Sequence, residues 1–130
     1  YALKETFVPL AEEFKPEIIL ANGGSDPHFA DMLGSLGLTV QGFFKISKTI
    51  VEVAEKVCNG KVVLMPGSGY NPAVLPSCWY ALTAGVIGLE AIDASDPYTP
   101  PVEPQRVRLT VENMLAELKQ NLRPYWKCFR

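Results

Sequence analysis

Two short apolar runs set the limits of what this chain can fold into. Glu17-Ile-Ile-Leu-Ala-Asn-Gly-Gly-Ser-Asp26 and Lys61-Val-Val-Leu-Met-Pro-Gly-Ser-Gly-Tyr70 each pass from apolar residues into glycines and then to one chemically capable side chain. An apolar run of this length bounded by turn residues reads as a buried parallel strand, here Glu17 to Ala21 and Lys61 to Met65. Between them Phe43, Ile46, Ile50, Ala54 and Val57 recur at helical spacing over Val40 to Val57, with Lys45, Lys48, Glu52 and Lys56 left to water. A strand–helix–strand crossover is right-handed in nearly all cases and makes both strands parallel. Asp26 and Tyr70 then leave the sheet at one edge, outside the carboxyl ends of the strands, where open α/β sheets bind ligands.

The remaining segments frame this unit. Phe7, Leu10, Ala11 and Phe14 fit a helix over residues 3 to 14, with Pro9 awkward inside it and Lys15-Pro16 closing it. Residues 22 to 39 form a long loop, a length that in a compact domain usually carries function. Asn59-Gly60 stops the middle helix in the manner of a left-handed cap. After a turn at 71 to 75, a helix over Leu75 to Leu89, apolar nearly all round, implies burial on most sides, with Trp79 in the core. Asp93 to Pro104 holds four of the eleven prolines and reads as an irregular connection. A last amphipathic helix, Arg106 to Leu122, places Val107, Val111, Met114, Leu115, Leu118 and Leu122 on one face, and Pro124 closes it.

The chain's 130 residues suffice for one core. A formal net charge of -2 argues against a general nucleic-acid or anionic-membrane surface, and Lys45, Lys48, Lys56 and Lys61 read as a solvated face. Cys58, Cys78 and Cys128 are odd in number and widely spaced, which disfavours a disulfide framework or zinc knuckle and fits a reducing, cytoplasmic setting. The sequence contains no run of eighteen apolar residues. Two parallel strands do not make a stable sheet by themselves, so the rest is expected from elsewhere, either a longer parent chain or a partner.

Gly24-Ser-Asp26-Pro-His28-Phe-Ala-Asp31-Met-Leu-Gly34-Ser-Leu-Gly-Leu-Thr39 resembles the G-[AF]-D-x-x-x-x-D-P-[LM] segment of the zinc-dependent histone deacetylase superfamily. Gly67-Ser-Gly-Tyr70-Asn71 is similar to that family's G-G-G-Y-N turn, and Cys78-Trp79-Tyr-Ala-Leu-Thr83 to a C-W-x-x-L-T that some members carry. The resemblance spans about residues 5 to 122 and corresponds to the last third of the family's catalytic domain. It implies that residues 1 to 130 are the C-terminal part of such a domain, a fragment of an arginase-like three-layer α/β/α parallel sheet. It further implies a zinc ligand at Asp26 and a carbonyl-polarising tyrosine at Tyr70. Leu33, Gly67 and Ser68 would line the acyl-lysine tunnel. Zn(2+) is the implied cofactor, and whether the family's K(+) sites have a counterpart here the motifs leave open.

The sequence departs from the pattern at Ser25, Met32, Pro66 and Ser68, and the family's tandem histidines and D-x-H ligands are absent from it. A catalytic zinc needs three protein ligands, so the chain alone is expected to be inactive. The implied partners are the upstream portion of the same domain and an acetylated lysine or polyamine substrate, without direct nucleic-acid or membrane contact. Bland readings stand beside each role: an Asx turn at Asp26, a half-buried packing residue at Tyr70, a supporting or surface residue at His28. Asp31 reads as a loop carboxylate accepting backbone N–H groups. Two other functions remain in play: a non-catalytic α/β binding module that self-associates through its sheet edge, and a phosphate cradle at Pro66-Gly-Ser-Gly.

Overall fold

The computed structural model describes residues 1–34 and 36–130; Ser35, inside the long loop, lies outside the described residues. The chain forms α1 (Ala2–Glu5), α2 (Phe7–Phe14), β1 (Ile19–Gly23), α3 (Val40–Cys58), β2 (Val62–Pro66), α4 (Leu75–Val86) and α5 (Gln105–Leu122), then a short 3-10 turn, Lys127–Phe129. β1 and β2 are parallel neighbours, paired from Ile19 with Val62 to Gly23 with Pro66. The strands run later than the sequence implies: β1 starts two residues on and ends within the glycines. At its far end Asn22 and Gly23 find partners in Met65 and Pro66.

The single helix expected over residues 3 to 14 is two. The backbone turns aside at Thr6, with φ -129° and ψ -63°. Pro9 explains it, because its ring would collide with the carbonyl of Glu5 in a continuous helix and it has no N–H to donate there. Lys15 then adopts φ 53° and releases the chain toward β1. α3 is capped at both ends, by the Thr39 hydroxyl, which accepts from the Gly42 N–H at 3.1 Å, and by Asn59 at φ 54°. Pro76 sits in the first turn of α4, where a missing N–H costs nothing.

α3 is shared by two clusters. Its first half (Val40, Phe43, Phe44) packs with Val74, Cys78, Ala81, Leu82 and Ala84 of the α4 region. Its second half (Val53, Ala54, Cys58) packs with Ala11 of α2 and Ile19 of β1. Leu64 and Val62 join these clusters from β2, so one face of the sheet is covered. The other face is not. Leu20 is 62% exposed, and Val63 and Met65 beside it are also open. The strands are therefore buried on one side only, where the sequence reading has them buried on both. The reason is that the helices packed on the sheet lie on a single side of it. The apolar stripe of α5 is likewise open at Val107, Met114 and Leu118. Among the described residues no helix is long and apolar enough to cross a membrane.

α3 and α4 approach closely through small residues. A Cβ added to Gly85 would lie 2.0 Å from Ser47 Oγ and 2.9 Å from the Phe44 carbonyl oxygen. Alanine in place of helical glycine ordinarily gains about 1 kcal/mol. Here the hydroxyl can rotate but the α3 backbone cannot, so overpacking of about 1–3 kcal/mol decides the sign. Gly85→Ala is expected to lower the urea midpoint of the chain, and an unchanged or raised midpoint would contradict this packing.

Candidate functional site

Parallel pairing sends the chain out of β1 and β2 at the same sheet edge, and the two loops that follow are stitched together. The Ser25 N–H donates to the Ser68 carbonyl at 3.1 Å. Ser68 Oγ donates to Asp26 Oδ1 at 2.8 Å. The Tyr70 N–H donates to Asp31 Oδ2 at 2.8 Å, and Asn71 Nδ2 to the Ala30 carbonyl at 2.7 Å. Asp26 and Tyr70, forty-four positions apart by their numbers, are thus carried by one laced rim.

Asp31 is the knot. It is buried, and its Oδ1 accepts the Leu33 and Gly34 N–H groups at 2.9 and 3.0 Å while Oδ2 takes that of Tyr70. Burial alone would push its carboxyl up. The N–H groups of Gly34, Tyr70, Leu33 and Asn71 together outweigh that and hold it below its ordinary value.

Asp26 is partly exposed and Tyr70 is 48% exposed, so both face outward from the rim. Ser68 holds its position with φ 51°, a conformation that favours glycine, and Gly69 follows at φ 129°. A Cβ at Gly69 would fall 1.9 Å from Ser25 Oγ, so the Ser25 hydroxyl occupies the space that glycine leaves. That hydroxyl is fully buried without a hydrogen-bond partner among the described residues. Leu33 is 72% exposed beside the equally open Met32 and Leu36. The rim bears apolar side chains as well as polar ones.

His28 is not a surface residue; it is fully buried. Its Nδ1 accepts the Ala30 N–H at 3.0 Å, which puts the ring proton on Nε2, and Nε2 donates to Asp96 Oδ1 at 2.8 Å. The ring stacks on Phe43 with centroids 6.4 Å apart. Asp96 lies in the proline-rich connection, and nothing in its sequence surroundings distinguishes it from a turn-forming Asp-Pro.

Among the described residues no three His, Cys, Asp or Glu side chains gather into a metal site. Burial, with Asp96 and Asp31 adding negative charge nearby, pushes the Cys78 thiol up to about 12, which removes it as a thiolate ligand or nucleophile. At the rim the described residues present a metal with one partly exposed carboxylate, Asp26, at the same sheet edge as Tyr70. That donor set fits a share of a three-ligand catalytic zinc site and not the whole of one.

The Asp31 carboxylate generates a pH prediction. Its folded value lies below that of the unfolded chain, so it stabilises the fold fully above about pH 4 and loses that contribution as pH falls through the depressed value. Urea midpoints measured between neutral and strongly acid pH should decline on the acid side, and Asp31→Asn should flatten that decline. An acid limb unaltered by the substitution would show that the carboxylate does not anchor the loops.

A histone deacetylase domain model matches residues 1–86. A probable deacetylase of Archaeoglobus fulgidus is 31% identical over 134 residues, 98% of this chain and 37% of that protein. The acetoin utilization protein AcuC of Staphylococcus aureus is 32% identical over 79% of this chain and 29% of its own length. Histone deacetylase 14, chloroplastic, of Arabidopsis thaliana is 39% identical over 57% of this chain. Among solved structures, the histone deacetylase Clr3 superposes on the whole chain with a TM-score of 0.77 at 21% identity, over 20% of its own length. The HDA15 HD domain superposes on 98% of the chain with a TM-score of 0.63 at 22% identity. The chain spans little more than a third of the archaeal relative. With two-thirds of its length under the domain model, and its strands and helices arranged as in deacetylase structures, the chain belongs to the histone deacetylase family.

Proposed function

We propose that this chain is the C-terminal part of a zinc-dependent deacetylase domain that hydrolyses acetyl-lysine or acetylpolyamine amides. In this reading Asp26 is one zinc ligand and Tyr70 is the donor to the acyl carbonyl. The observation that carries the reading is the laced rim, which holds one metal-competent carboxylate and one phenol at the same edge of a parallel sheet. When bound, zinc would polarise the amide carbonyl and acidify a coordinated water.

The chain's own residues have separate tasks. The Tyr70 hydroxyl donates to the carbonyl oxygen and favours the negative charge that develops there. Its backbone, pinned by Asp31, fixes where the ring starts. The Ser68 hydroxyl orients the Asp26 carboxylate. Leu33 forms an apolar wall for the acyl-lysine stem, and Gly67 and Ser68 line the approach.

The general base and the other ligands must come from outside the chain, which is expected to be inactive alone. The uncovered sheet face of Leu20, Val63 and Met65, continued by Ile18 and Phe14, offers a surface for the upstream portion of the domain. The same bare face favours the second reading, a non-catalytic module that self-associates. The two diverge in one experiment. Supplying the upstream portion, in one polypeptide or as a second chain, should yield zinc-dependent acetate release from acetyl-lysine peptides or acetylpolyamines. Tyr70→Phe should then lower kcat by about 10² or more. Full activity in Tyr70→Phe would remove Tyr70 from the mechanism, and a chain that only forms homodimers would favour the module.

A further inference from the structure

We infer that Asp96, acting through His28, is a positioning residue for the Asp26–Tyr70 rim. The inference rests on the deacetylase reading only for its catalytic readout. One oxygen of Asp96 receives two donors: the His28 Nε2–H at 2.8 Å and the Val40 N–H, the first of α3, at 2.9 Å. Its side chain is 10% exposed and that of His28 is 0% exposed, so water competes weakly for these bonds. The Val40 N–H has no acceptor within the helix, and Asp96 supplies one.

From His28 the connection runs to the rim through consecutive bonds. His28 Nδ1 accepts the Ala30 N–H, the Ala30 carbonyl accepts Asn71 Nδ2, and Asn71 adjoins Tyr70. On the same loop Asp31 receives the Tyr70 N–H. His28 lies two positions after Asp26, so a shift of the imidazole moves both sides of the rim. The connection bearing Asp96 is anchored to α3 by further bonds, from Gln41 Nε2 to the Ala94 carbonyl at 3.1 Å and from Lys48 to Glu90 at 3.2 Å. The rim is therefore referenced to the N-terminal end of α3, the helix shared by both core clusters. Removing the Asp96 carboxylate leaves the His28 N–H and the Val40 N–H buried without an acceptor, and the loop must move to satisfy them.

Asp96→Ala, Asp96→Asn and His28→Gln, made in the zinc-loaded protein containing the whole domain, separate this role from general stability. Asn keeps an oxygen that can accept both donors. Asp96→Ala should lower kcat about tenfold or more with KM little changed, since a small displacement of a reacting group costs rate before binding. It should also speed hydrogen exchange at the Ala30 and Tyr70 amides by about tenfold while leaving the amides of β1 unchanged. Asp96→Asn should recover most of both losses. Should Asp96→Ala fail to fold, His28→Gln supplies the same two readouts. Unchanged exchange at Tyr70 in a folded breaking variant, or an Asn variant as impaired as the Ala variant, would overturn the inference. Absence of deacetylation in the unsubstituted protein would overturn the function proposed above and leave the exchange result to judge Asp96.

Discussion

Everything at the candidate site depends on one buried carboxylate. Asp31 takes N–H groups from both of the loops that follow β1 and β2, and among the described residues no other side chain does this. Parallel strands can only be joined by a long crossover, so nothing local forces their exit loops together. The ladder fixes the register as far as Gly23 and Pro66 and then stops. Beyond that point the loops would diverge, and the charge-assisted bonds to Asp31 supply the registration that the sheet no longer provides. The fall of its pKa despite burial is a measure of the same thing: the bonds outweigh the cost of taking the charge from water.

The strand–helix–strand unit was legible because periodicity and turn residues report on it directly. Asn59 sits where a left-handed cap requires it, and α3 begins and ends within a residue of its hydrophobic pattern. What was not legible depends on partners distant in sequence. The ends of β1 are set by which residues Met65 and Pro66 can pair with, not by where the apolar run stops. The break at Thr6 is caused by a proline three positions later, acting on the carbonyl of Glu5. Asp96 contacts His28 across sixty-eight positions, and one sequence gives no account of that pairing. The pattern of the motifs drew attention to Asp26 and Tyr70, but what holds them is written in side chains that look ordinary.

Two of the positions at which the loops depart from the family pattern, Ser25 and Ser68, are bonded to one another. Ser68 stands in a glycine conformation and spends its hydroxyl on Asp26. Ser25 fills the space opposite Gly69 and bonds through its backbone to Ser68. A side chain at one of these sites needs its neighbours to make room, because a Cβ at Gly24 would lie 2.1 Å from Ser68 Oγ. In this chain each serine therefore faces a glycine across the rim, Ser68 against Gly24 and Ser25 against Gly69. The Ser25 hydroxyl, without a hydrogen-bond partner among the described residues, is a cost of that arrangement.

The same division between what a segment can hold and what it must receive explains the surface. A two-stranded parallel sheet with helices on one side only leaves Leu20, Val63 and Met65 in water, and that much contiguous apolar area is unfavourable to expose. A lone carboxylate on the rim makes a poor metal site for a parallel reason, since a catalytic zinc takes three protein ligands. Both deficits lie on the sheet: its open face needs a second layer, and its carboxyl edge needs more donors. One additional body of structure that continued the sheet and covered it would remedy both at once, because further parallel strands deliver their own loops to the edge where Asp26 and Tyr70 already stand. The completeness of the core and the completeness of the site are then the same physical event.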